Sequence, residues 1–198
     1  MNTNPLRSRS TYAVLLLSSS LTALTLATSV AHAGDDKNLA DKIARGKYIV
    51  ATSGCNDCHT PWKMGPDGPG PDMDRMLSGH PEGMAVPPAP KPDGPWLVSV
   101  AATNTAWSGP WGVSFTANIT PDKETGIGKW TLRNFRDMLR TGRHMGQGRP
   151  VLPPMPVPVY RNLTEADTEA LFTYLQSIPP IRNRVPEPLP PAVPVAAN

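Results

Sequence analysis

Cysteine is nearly absent from this 198-residue chain: there are two, Cys55 and Cys58. Thiols so close in sequence close almost no loop, which excludes the disulfide framework that staples many small secreted domains. Charge of one sign is also scarce. The net value of +3 leaves no electrostatic footprint for nucleic acid. Beyond the N-terminal segment no stretch is long and apolar enough to span a bilayer. Convincing β-alternation and internal repeats are missing. So are a Ser-His-Asp arrangement, a phosphate loop and paired carboxylates at helical spacing. Hydrolytic, nucleotide-dependent and acid–base catalysis therefore have no visible machinery.

Proline is what the chain has in excess. It holds 25 Pro and 16 Gly, with Pro far above its usual ~5%. Proline removes a backbone donor and fixes φ, so one long bundle or a regular sheet is excluded. Apolar residues make up 39% of the chain and gather into helix-length segments between the Pro-rich blocks. One small core, and one domain, is the expectation.

The N-terminus has the layout of an export signal. Arg7 and Arg9 precede an apolar stretch from Ala13 to Ala27, and Ala31-His32-Ala33 follows as an A-x-A cleavage site. Residues 1–33 are expected to be a signal peptide cleaved near Ala33, which places the mature protein in the periplasm. Membrane attachment is expected only if the segment stays uncleaved.

For an exported chain, Cys55-Asn56-Asp57-Cys58-His59 carries the chemistry. C-x-x-C-H is the attachment signature of c-type haem. Two intervening residues set both sulfurs on one side of a single turn, within reach of the two porphyrin vinyl groups. The adjoining His59 then presents its imidazole to the iron. A thioredoxin-like C-x-x-C would follow a strand, and this one follows a helix. Half a zinc site would need a second Cys or His pair, and none has that spacing. One covalent haem c is expected.

Three helices frame the motif. The first covers 38–52, with Leu39, Ile43, Gly46 and Val50 on one face. Gly46 is costly in a helix and implies a close helix crossing, and Gly54 ends the segment. The second starts at Thr131 as N-cap, runs to about Thr141 with Leu132, Phe135, Met138 and Leu139 inward, and stops at Gly142. The third runs from Thr164 to about Ser177, opened by the capping-box pattern Thr164-Glu165-Ala166-Asp167. Its apolar face is Ala170, Leu171, Tyr174, Leu175 and Ile178. The tail from Pro179 is expected to be extended and mobile. Residues 62–111 read as a long irregular insertion. Its Trp96, Trp107 and Trp111 need a surface to pack on, either a haem face or the edge of the helical core.

A His-ligated haem that only carries electrons needs a second axial ligand. Met155 is the leading candidate: prolines on both sides, in Pro153-Pro154-Met155-Pro156, stiffen the loop that presents its thioether. His144, His80, Met145 and an open position are the alternatives. In Asn118–Gly128, Gly126 and Gly128 allow a close approach to something flat. A haem edge with Asn118 or Trp130 near a propionate is one reading, and a plain surface turn is the other. Lys129, Arg133, Arg136, Arg140, Arg143 and Arg149 supply a propionate partner and a docking patch, or else a solvated helix face.

Helix, C-x-x-C-H, middle helix, Pro-Met loop and final helix is the order found in class I c-type cytochromes. Asn118-Ile119-Thr120-Pro121-Asp122, Thr125-Gly126-Ile127-Gly128, Trp130, the Pro-flanked Met155 and Tyr174-Leu175-Gln176-Ser177 are more specific. They resemble the haem domains in cytochrome subunits of bacterial periplasmic dehydrogenases, over residues 38–61 and 112–187. The resemblance implies an all-α fold, a small class I cytochrome c domain with long Pro/Gly-rich loops. It implies haem on Cys55 and Cys58, with His59 and Met155 as iron ligands. The domain is expected over 34–185, followed by a Pro-rich tail over 186–198. The function implied is one-electron transfer between periplasmic redox proteins (a dehydrogenase, an oxidase or another cytochrome), without catalysis of its own. The alternative is a haem enzyme or gas sensor with an open or displaceable sixth site. A disulfide oxidoreductase is a third possibility and needs free thiols. Such subunits often carry several haem motifs, and this chain has one.

Overall fold

The computed structural model describes Met1, residues 36–89 and residues 95–191. The expected signal peptide and the end of the Pro-rich tail lie outside the described residues. Among these residues no helix is long and apolar enough to cross a membrane.

The three expected helices form. Helix α1 occupies 36–52. It buries Ile49 and Val50, while Leu39 is exposed. Gly54 at φ 73° turns the chain directly into α2, Cys55–His59. Helix α3, Leu132–Thr141, opens on a capping box between Thr131 and Asn134 and closes on Gly142 at φ 69°. A single turn, α4, spans Val157–Tyr160. Helix α5, Glu165–Ser177, starts at Thr164, whose hydroxyl accepts from the Asp167 amide.

These helices share one apolar core. Val50, Phe135, Leu139, Leu171 and Leu175 are all at most 5% exposed and belong to one cluster. Gly46 has its physical reason here: a Cβ would stand 2.1 Å from the Ala170 carbonyl oxygen and 2.5 Å from the Tyr174 Cβ. The missing side chain lets α1 cross α5 backbone to backbone. Two ion pairs flank the crossing, Lys42–Glu169 at 2.7 Å and Arg45–Asp167 at 2.8 Å.

The long segment after His59 is less irregular than its composition suggests. A hairpin pairs β1, Trp62–Gly65, with β2, Gly68–Pro71, in antiparallel register. A three-stranded antiparallel sheet follows in the order β3, Ser99–Val100; β4, Ala106–Gly109; β5, Gly112–Phe115. The structure is therefore helices plus two small sheets. These strands escape an alternation search because β3 has two residues and β2 reads Gly-Pro-Gly-Pro. The tryptophans divide. Trp107 and Trp111 are half-buried and donate to the Asn104 carbonyl and the Ser114 hydroxyl, both at 3.3 Å. Trp96 is 75% exposed.

The segment after α5 also departs from expectation, being extended but pinned. Asn183 is 2% exposed. Its amide nitrogen donates to the Ser78 and His80 carbonyls at 2.7 and 2.8 Å, and its oxygen accepts from the Glu82 amide at 2.7 Å. Leu189 exchanges both backbone bonds with Val113 at 2.9 Å. Buried hydrogen bonds to backbone groups fix this segment, which a Pro count does not reveal.

Candidate functional site

Helix α2 is one turn long and carries all three residues of the motif. Cys55 and Cys58 are free, half-buried thiols. Burial pushes the Cys55 thiol up to about 11, and it raises Cys58 with help from the Asp57 charge. Both are protonated at neutral pH. A reactive redox thiolate needs the opposite shift.

His59 is prepared to ligate. Its Nδ1 lies 2.8 Å from the Ala117 carbonyl oxygen. A carbonyl only accepts, so Nδ1 carries the proton and Nε2 keeps a free lone pair. Burial lowers the pKa of His59 below the ordinary imidazole value, against the opposing pull of that carbonyl. The ring is thus neutral, oriented and in the tautomer a metal requires.

The turn is braced from residues 60–105. The Gly79 amide donates to the His59 carbonyl at 2.7 Å. Pro61 has no amide to offer the Asp57 carbonyl, which instead accepts from the Trp62 indole at 3.1 Å and the Asn104 side chain at 2.6 Å. Thr60 is fully buried, bonds Asn56 at 2.9 Å and accepts from the Leu77 amide at 2.9 Å.

Met155 sits half-buried in its Pro-flanked loop. It packs on the same apolar cluster as Cys55, together with half-buried Ile119, Trp130 and Met138. The Ser114 hydroxyl of β5 donates to the Pro153 carbonyl at 2.6 Å, and the Val157 amide to the Met155 carbonyl at 2.9 Å. His80 is fully buried with Nδ1 at 2.9 Å from the Thr105 hydroxyl and Nε2 at 3.1 Å from the Met84 carbonyl. His144 and Met145 are exposed. A thioether beside this apolar cluster, an unprotonated imidazole nitrogen and two thiols on one turn are a donor set that fits haem c.

These contacts bear on two features that the sequence leaves open. Asn118 is 4% exposed and commits its side chain inside the protein. Its oxygen accepts from the Thr120 amide and hydroxyl at 3.0 and 2.7 Å, and its nitrogen donates to the Ile181 carbonyl at 2.8 Å. It has nothing left for a propionate. Gly126 and Gly128 lie against the chain itself: a Cβ would stand 2.3 Å from the Thr120 oxygen and 2.2 Å from the Pro121 oxygen. The basic run is also partly committed. Arg136 and Arg140 bind Glu165 at 2.7 and 3.0 Å, and Arg140 donates to the Arg161 and Leu163 carbonyls. They tie α3 to the start of α5. Lys129 and Arg133 are exposed.

No family model matches the chain. It is similar to one of the subunits of nicotinate dehydrogenase from Pseudomonas putida, 40% identical over 43% of this chain and 7% of that protein. It is similar to the fructose dehydrogenase cytochrome subunit of Gluconobacter japonicus, 31% identical over 68% of this chain and 21% of the relative. The cytochrome c subunit of the quinone alcohol dehydrogenase of Gluconobacter oxydans is 28% identical over 86% and 29%. The chain spans less than a third of the length of each of these relatives. Over most of its own length it resembles the cytochrome c subunits of bacterial dehydrogenases.

Proposed function

We propose that the protein is an exported monohaem c-type cytochrome that carries single electrons between periplasmic redox proteins. Residues 1–33 are its signal peptide, 34–185 its haem domain with 62–111 inserted, and 186–198 its tail. Cys55 and Cys58 would hold haem c by thioether bonds, and His59 and Met155 would ligate its iron. The observation that carries this reading is the single turn α2. It presents two free thiols and an imidazole whose Nδ1 is committed to Ala117.

Bound haem c would supply reversible one-electron chemistry at iron. The chain's residues do the rest. His59 offers a strong nitrogen donor, oriented by Ala117. Met155 offers a soft sulfur that favours ferrous iron and raises the potential. With His59 and Met155 both holding the iron, neither would leave it open to substrate, which suits an electron carrier. A dehydrogenase is the partner class best supported, since the relatives are subunits of such enzymes.

Absorption spectra of the purified periplasmic protein test the reading. Denatured wild type should keep haem staining on a gel, and Cys58→Ala should weaken or abolish it. Met155→Ala should remove the long-wavelength sulfur-to-iron band, lower the potential and open reduced iron to carbon monoxide. A spectrum and potential untouched by Met155→Ala would shift the reading to an enzyme or sensor with another sixth ligand.

A further inference from the structure

Tyr160 joins the two halves of the site. It ends α4, its side chain is buried, and its hydroxyl donates to the carbonyl of Ser53. That carbonyl lies at the C-terminus of α1, where Gly54 turns left-handed and leaves it without an intrahelical partner. Two residues later comes Cys55. At the other end of α4, the Val157 amide donates to the Met155 carbonyl at 2.9 Å and the Tyr160 amide to the Pro156 carbonyl at 3.2 Å. One helical turn therefore connects Met155 to a bond that ends beside the C-x-x-C-H turn.

A thioether is a weak iron ligand, so its loop must be held from both sides. The Ser114 hydroxyl holds the approach to Met155 through the Pro153 carbonyl at 2.6 Å. The exit is held by Tyr160. We propose that Tyr160 is a positioning residue that fixes the span between the Cys55–His59 turn and Met155, and so keeps the sulfur within reach of iron. This rests on the haem reading above.

The test compares Tyr160→Phe with Tyr174→Phe. Tyr174 is equally buried, on α5 in the same core, so its variant controls for losing a hydroxyl from the interior. Tyr160→Phe should retain covalent haem. Its sulfur-to-iron band should fade at a lower temperature than in wild type, with a wider gap between band loss and global unfolding. The fraction of ferrous protein open to carbon monoxide should rise about five-fold, the weight of one ordinary hydrogen bond. Tyr174→Phe should leave that gap and that fraction unchanged. If Tyr160→Phe moves band loss and unfolding together, with carbon monoxide binding unchanged, Tyr160 is a core residue and the proposal fails. A wild type without covalent haem, or a band that survives Met155→Ala, would instead sink the haem reading itself.

Discussion

Helices α1, α3 and α5 hold together through large apolar side chains, whereas the segment from Thr60 to Thr116 is held mainly by directional bonds. The helical frame buries Ile49, Val50, Phe135, Leu139, Leu171 and Leu175, with Thr168 as its buried polar residue. That segment, the 62–111 insertion with its flanks, buries Thr60, Ser78, His80, Thr105 and Ser114, with Leu77 as its one large apolar side chain below a tenth exposed among the described residues. Apolar burial is non-directional and scales with the area removed from water. Hydrogen bonds weaken steeply with angle and length. The frame is thus suited to supplying stability and the insert to fixing geometry. The insert's bonds fall on Asp57, His59 and Pro153, next to both proposed ligands.

The largest effect should come from the frame. In Gly46→Ala the new Cβ meets backbone at 2.1 Å, and neither α1 nor α5 can yield without moving its core face. A loss of about 3 kcal/mol is expected from such overpacking, which lowers the thermal midpoint by roughly 6–12 °C for a chain of this size. Calorimetry of purified protein measures it. A midpoint within a degree of wild type would mean that the α1–α5 crossing is not what holds the frame, and that stability is not concentrated there.

A smaller and more local effect should come from the insert. Asn104 has a left-handed backbone, φ 55°, so glycine preserves its conformation while deleting the amide that bonds Asp57 at 2.6 Å. Asn104→Gly should cost about 1 kcal/mol, felt at α2 more than globally. Hydrogen exchange should quicken at the Asp57 and Thr60 amides, with protection in α3 and α5 retained. Equal loss of protection in α5 would show that insert and frame unfold as one unit.

The same contrast explains what the sequence discloses. Apolar stripes at helical spacing, Thr131 and Thr164 as caps, and Gly142 as a stop are local signals, and the helices they predict form at those places. Gly46 is legible because a glycine inside a helix needs a close neighbour. C-x-x-C-H is legible because attachment chemistry fixes its spacing. The insert is held by long-range bonds, and no local pattern records the partner. From the sequence Asn118 fits a haem edge or a plain surface turn equally, until Ile181, 63 positions away, takes its amide. Asn183 looks like one polar residue in a Pro-rich tail, yet it anchors Ser78, His80 and Glu82. Gly126 and Gly128 do signal close approach, but a sequence cannot say that the approaching surface is the chain's own Thr120 and Pro121.

The smallest predicted effect is a pH dependence that separates the two regions. His80 is buried in the insert, and burial lowers its pKa below 6.5, with the Arg75 charge adding and the Met84 carbonyl opposing. Well above pH 6.5 the ring is uncharged both folded and unfolded, so it contributes no slope there. As pH falls through 6.5 the unfolded chain takes up a proton that the folded chain refuses. Stability then declines with falling pH until the lowered folded value is reached, and below it this group adds nothing further. A neutral ring keeps one nitrogen as donor to Met84 at 3.1 Å and the other as partner of the Thr105 hydroxyl at 2.9 Å, itself bonded to Thr103 at 2.8 Å. His80→Gln retains an amide donor for Met84 and removes the titration. Denaturant unfolding at several pH values between about 7.5 and about 5 should show a gentler acid slope in the variant than in wild type. Hydrogen exchange should assign the difference to the residues around Thr103 and Thr105 before any change in α3 or α5. Parallel slopes for the two proteins would mean that His80 shares the pKa of an exposed histidine, and that acid does not act on the insert before it acts on the frame.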